Sequence, residues 1–146
     1  MKPYQVTARI SRLGQHIARQ QEETFGRFGL NRGEVGVLSA LRTASPPHRL
    51  SPTTLFRGLM LSSAGMTSRL DRLERRALVK RIPDPDDRRG ILVELTPAGR
   101  KAVDDAVAAN TERERVLVGR LSAKEADTIA RLLKKMLGSI EGDAAG

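Results

Sequence analysis

The sequence predicts a mainly α-helical chain with one small β element, of the α+β class. Two observations carry this. Apolar residues recur at helical spacing through most of the 146 residues, with capping residues at the starts of those stretches. Only residues 79–82 and the alternating Ile91, Val93 and Leu95 read as strands, joined by the turn-forming PDPDDRRG.

The elements follow in order. Residues 4 to about 28 form one long helix, with Val6, Ile10, Leu13 and Ile17 on one stripe and Gly29 as its stop. Asn31 and Glu34 make a capping box for a second helix that buries Val35, Leu38 and Leu41. Residues 44–50, with Pro46 and Pro47, read as a loop that leaves His48 in solvent. Ser51-Pro52 starts a short helix, because Ser caps and Pro at the first helical position loses no hydrogen bond. Leu55, Phe56 and Leu59 turn inward, and Met60 and Leu61 form the turn to the next helix, capped by Ser62 or Ser63. On that helix Met66, Leu70, Leu73 and Ala77 share a stripe.

The opposite side of this helix carries Ala64, Gly65, Ser68, Arg72 and Arg75, with Arg69 and Arg76 at its flanks. A helix entering a DNA major groove needs small residues for close approach, hydrogen-bonding groups for base edges and cations for phosphates. Two short helices joined by a tight turn, then an arginine-tipped hairpin, make a winged helix-turn-helix with the wing aimed at a minor groove. After the wing, Thr96-Pro97 opens a helix running to about Leu121, with Val103, Ala106 or Val107, Asn110, Leu117 and Leu121 on one stripe. Ser122 and Glu125 box the last helix, whose Ala126, Ile129, Leu132, Leu133, Met136, Leu137 and Ile140 are more apolar than a terminal helix should show to water.

Three regions follow: residues 1–30 a dimerisation helix, 31–96 a winged helix-turn-helix domain, and 97–146 dimerisation helices. A core of that size does not need all the terminal helices. An isologous two-fold dimer buries their stripes and predicts a palindromic site with half-sites about one helical turn apart.

The bulk numbers agree. A net charge of +9, from 26 Lys and Arg against 17 Asp and Glu, favours a polyanion partner. Aromatic content of 3% argues against single-strand binding by stacking. With no Cys there is no disulfide, zinc finger or thiol switch. No run is long and apolar enough for a membrane span, and the first residues lack the apolar core of a signal peptide, so a cytoplasmic protein is expected. No Gly-rich phosphate loop, nucleophile–base pair or paired carboxylates stand out, so neither catalysis nor a cofactor is expected. Asp84, Asp86 and Asp87 lack the spacing of a calcium loop and adjoin Arg88 and Arg89. His16 and His48 have no flanking acid cluster, so no metal site is expected either.

The run LSSAGMTSRLDRLERRALVKRIPDPDDRRGILVELTPAGR resembles the recognition helix and wing of MarR-type transcriptional regulators, most specifically in DPDDRRG…VELTPAGR. The resemblance implies a homodimer on a palindromic duplex operator, with Ser63, Ala64, Gly65, Ser68, Arg69 and Arg72 facing the major groove. It implies that Arg89 enters the minor groove, supported by Asp87, with Arg88 beside it. Arg72, Arg75, Arg76, Lys80 and Arg81 read better as phosphate clamps than as base readers. Many members release DNA when a small aromatic or phenolic acid binds; His16 is the candidate effector-pocket residue. The family's usual Thr-Arg pair is Thr67-Ser68 here, which implies a different base preference. LNRGEVGVLSALR also resembles a urate-responsive subgroup, but the Trp and acids of that subgroup are missing, so urate response is not implied. The chain reads as a regulator, most often a repressor. The alternatives are a non-specific architectural DNA binder and a protein-interaction module.

Overall fold

A computed structural model describes residues 2–59 and 63–142. The order of elements is α1 (Tyr4–Gly26), α2 (Arg32–Thr43), β1 (Arg49–Leu50), α3 (Pro52–Leu59), α4 (Ser63–Arg75), β2 (Val79–Asp84), β3 (Asp87–Leu95), α5 (Pro97–Val118) and α6 (Ala123–Glu141). This is the mainly helical winged helix-turn-helix fold expected. The chain divides into two compact units, Met1–Asn110 and Thr111–Gly146.

The caps read from the sequence are in place. Asn31 and Glu34 exchange both capping-box bonds at the start of α2, and Ser122 and Glu125 do the same for α6. The Ser51 hydroxyl accepts the Thr54 N–H at 3.1 Å, and that of Thr96 accepts the Gly99 N–H at 3.0 Å. Each supplies an acceptor that a helix start lacks, an effect of about 1 kcal/mol. The turn at Met60 and Leu61, the cap at Ser62 and the side chain of Ser63 lie outside the described residues.

The core of the first unit is built from the predicted stripes. Val35, Leu38 and Leu41 of α2, Leu55 of α3 and Met66, Leu70 and Leu73 of α4 pack with Val79, Val93, Val103 and Ala106, and Val37, which the α2 stripe did not include, is fully buried with them. Each large side chain so buried contributes about 1.5–3 kcal/mol by leaving water. Ala77 does not continue the α4 stripe. The helix ends at Arg75, Ala77 is exposed with φ 58°, and Leu78 takes the core position instead. Thr96 donates to the Ala77 carbonyl at 2.7 Å and so fastens this turn to the start of α5.

The sheet is antiparallel in the order β1-β3-β2. The strands reach further into PDPDDRRG than the sequence indicated: Pro83 pairs with Ile91 and Asp84 with Asp87 across an irregular step. Pro is tolerated there because β2 is an edge strand, where a missing N–H breaks no ladder bond. Residues 49 and 50 are a strand and not loop, since Arg49 faces Glu94 and Leu50 faces Val93. His48 is half-buried, with Nδ1 2.8 Å from the Ala44 carbonyl oxygen, and not in open solvent. In the second unit α6 buries none of its residues. No helix among the described residues is long and apolar enough to cross a membrane.

Candidate nucleic-acid interface

The outer face of α4 is set by the inner one. Burying Met66, Leu70 and Leu73 leaves Ala64, Thr67, Ser68, Asp71, Arg72 and Arg75 exposed. Gly65 is half-buried near the helix start. Small and hydroxyl-bearing residues therefore occupy the N-terminal half, with Arg72 and Arg75 further on. Such a face can approach base edges closely while its cations reach the backbone. Thr67, part of the pair that departs from the family pattern, is exposed and belongs to this face as well.

The wing is the β2–β3 hairpin. Its tip is organised by carboxylates that accept backbone N–H groups. Asp84 Oδ1 takes the Asp86 N–H at 2.9 Å, and Asp87 Oδ1 takes the Arg89 N–H at 3.1 Å. Asp87 thus supports Arg89 through its main chain and not through its guanidinium. A Cβ at Gly90 would stand 3.1 Å from Asp87 Oδ2, so this residue keeps the tip compact. The side chains of Arg88 and Arg89 are exposed and make no hydrogen bond or ion pair with the described residues.

Arg81 joins wing to helix. Its backbone N–H donates to Glu74 Oε2 at 3.0 Å, Nη1 to Glu74 Oε1 at 2.9 Å and Nη2 to Asp71 Oδ1 at 2.7 Å. The bond to Asp71, foremost, raises its pKa. Held on two carboxylates of α4, this cation is a strut between the two elements, not the free phosphate clamp expected. Lys80 likewise pairs with Glu94 at 2.9 Å, and Arg49 meets the same carboxylate at 2.9 Å from β1. Glu94 is buried, and these cations, Lys80 foremost, hold its carboxyl below its ordinary 4.5.

Two further arginines depart from the sequence reading. The Arg76 guanidinium donates to the Phe28 and Gly29 carbonyls and closes the turn between α1 and α2, so it is not a free clamp. Arg69 does not extend outward; its guanidinium lies over Gly33 at the start of α2. Arg72 stays half-exposed, with Nε 3.7 Å from Glu34 Oε2. Among the predicted cations, Arg75, Arg88 and Arg89 are thus unengaged within the described chain.

Apolar grooves lie elsewhere on the same unit and along α4. One of about 330 Å³ lies between α3 and α4, lined by Pro52, Thr53, Phe56, Met66, Thr67 and Leu70. Another of about 390 Å³ lies between α2 and α5, lined by Ser39, Arg42, Val103 and Asp104 among others, with an Arg42–Asp104 ion pair of 3.1 Å. His16 is exposed on α1 and lines neither of these two grooves. No group of three or more His, Cys, Asp or Glu among the described residues could hold a metal ion.

Comparison with known proteins gives this surface its context. Residues 28–90 match the model of the MarR family. The chain is 30% identical over 136 residues to the transcriptional regulator PecS of Dickeya dadantii, covering 93% of this chain and 82% of that protein. It is 30% identical over 143 residues to the transcriptional repressor NicR of Pseudomonas putida, covering 95% and 89%. Among solved structures, a mutant MarR from Escherichia coli complexed with operator DNA superposes with a TM-score of 0.77 at 27% identity, covering 94% and 99%. BpsR of Bordetella bronchiseptica, whose DNA binding is regulated by 6-hydroxynicotinic acid, gives 0.77 at 29% identity, covering 90% and 91%. A helix-turn-helix with a small, basic outer face, a wing ending in free arginines, and this similarity along nearly the whole chain place the protein in the MarR family of DNA-binding transcriptional regulators.

Proposed function

We propose that the protein is a homodimeric repressor that occupies a palindromic operator, and that a small aromatic or phenolic acid releases it. The observation that carries this reading is the pairing of the exposed Ala64–Ser68–Arg72 face with the free Arg88 and Arg89 tip, joined by Arg81. The helix reads the major groove and supplies phosphate contacts; Arg89 enters the adjacent minor groove, where the potential is most negative. Residues 31–96 are the reading domain; residues 1–30 and 97–146 serve dimerisation.

Dimerisation is supported by apolar side chains left in water. Leu13 on α1 is 44% exposed, and Leu132 and Ile140 on α6 are 46% and 83% exposed. Apolar stripes left exposed in this way, one on α1 and one on α6, mark interfaces. A two-fold dimer sets the separation of its two α4 helices, and an acid bound beside them shifts the population away from the DNA-competent spacing. Repression is supported by relatives such as NicR, named a repressor, and effector control by BpsR.

Footprinting of the promoter next to the protein's own gene tests the proposal. The expected result is a protected palindrome with half-sites about one helical turn apart, bound by two chains. Uniform protection without a palindrome would favour an architectural binder, and no protection at low salt would refute DNA binding.

A further inference from the structure

Arg69 is placed where a cation has no partner. Its Nε and Nη1 are fully buried and have no hydrogen-bond acceptor among the described residues. Burying charged N–H groups without acceptors is unfavourable, because the water they gave up is not replaced. The nearby acid of α2 is already committed: Glu34 Oε1 accepts the Asn31 N–H at 3.1 Å, and Oε2 lies 3.7 Å from Arg72 Nε.

The pocket that takes the guanidinium exists because residue 33 is glycine. A Cβ at Gly33 would fall 2.5 Å from Arg69 Cζ and Nη2, and closer still to Nε. Those atoms are the far end of a flexible side chain, which can rotate away. Arg69 also stands on α4 one residue beyond Ser68, at the edge of the face read here as the DNA surface. Rotated outward, it reaches the phosphates that border a groove occupied by α4.

We propose that Arg69 is a two-position DNA contact, stowed over Gly33 in the free protein and swung onto a backbone phosphate in the complex. The proposal rests on the reading of α4 as the DNA helix. The stowed position sequesters one cation until a phosphate supplies the acceptors it lacks. The apparent dissociation constant then exceeds the intrinsic one by the inverse of the outward fraction. The missing Cβ of Gly33 sets that fraction.

Gly33→Ala is the direct test. Ala is the better helix former, so α2 and its cap persist. The added methyl expels the guanidinium, and operator affinity measured by anisotropy rises about 3- to 10-fold. Arg69→Ala lowers the salt slope of binding by about 0.9, one phosphate contact. In the Arg69→Ala background, Gly33→Ala changes affinity no further. Equal wild-type and Gly33→Ala affinities would overturn the proposal, as would the same gain without Arg69. Side-chain ¹⁵N NMR of the free protein reads the stowed position without DNA, with Arg69→Lys assigning the signal. Slow hydrogen exchange at Arg69 Nε–H in wild type, lost in Gly33→Ala, supports it; exchange as fast as that of Arg88 and Arg89 overturns it. Absence of wild-type operator binding would instead sink the DNA reading itself, which separates the two failures.

Discussion

Glu74→Ala separates the strut between wing and reading helix from simple electrostatics. Glu74 accepts two bonds from Arg81, one from its backbone N–H at 3.0 Å and one from its guanidinium at 2.9 Å. The Glu74 side chain is 40% exposed and that of Arg81 25%, so water replaces part of what is lost. Charge-assisted bonds contribute about 1.5–3 kcal/mol when shielded and exposed ion pairs about 0.2–1 kcal/mol. Discounting for solvent, the pair stabilises by about 1–2 kcal/mol, and its loss lowers Tm by about 2–8 °C. The same substitution removes a negative charge beside the proposed DNA surface. Electrostatics alone would therefore tighten operator binding. Loss of the strut instead frees the wing and costs several-fold in affinity, with a smaller effect when Arg89 is already Ala. Differential scanning calorimetry and a double-mutant cycle by anisotropy measure both. A variant of unchanged Tm that binds DNA more tightly would refute the strut.

Three further outcomes are expected. Glu94 has a depressed folded pKa, so it stabilises the sheet above the unfolded value near 4.5, and that contribution is lost as pH falls through the folded value; Glu94→Gln should flatten stability over this acid range in denaturant titrations. Leu73→Ala, at a fully buried site of α4, should cost about 2–5 kcal/mol in the same titrations. Truncation after Leu121 removes the Leu132, Met136 and Ile140 stripe and should abolish the dimer in sedimentation; a truncated dimer would exclude α6 from the interface.

Most of the fold was legible because its signals are local. Asn31 with Glu34, Ser51 before Pro52, Thr96 before Pro97 and Ser122 with Glu125 each act within one helical turn, and the structure satisfies all four. The buried stripes of α2 and α4 follow from periodicity alone. The two-residue β1 is too short to show a period and exists because Arg49 and Leu50 find Glu94 and Val93 far along the chain. Ala77 obeyed the period but fell beyond the helix end, where a left-handed residue brings Leu78 inward.

The site was less legible, and its long cations account for the difference. A helical wheel places Cα atoms, not guanidinium groups at the ends of flexible stems. Arg76 is claimed by carbonyls of Phe28 and Gly29, Arg81 by Asp71 and Glu74, and Lys80 by Glu94. Arg69 is drawn to the space left by a distant glycine. Each of these choices depends on partners that only the tertiary fold assembles. Arg88 and Arg89 escaped such competition on a tight tip where the Asp84 and Asp87 carboxylates accept backbone N–H groups.

Fluorescence anisotropy is the decisive test of sequence-specific duplex recognition by α4 and the wing. Wild type and Arg89→Ala are titrated against the native promoter duplex and a scrambled one at two salt concentrations. Wild type should strongly prefer the native duplex, and Arg89→Ala should lose about 1–3 kcal/mol in specific binding with the dimer intact. Equal affinity of wild type for both duplexes, or undiminished specific binding by Arg89→Ala, would contradict such recognition.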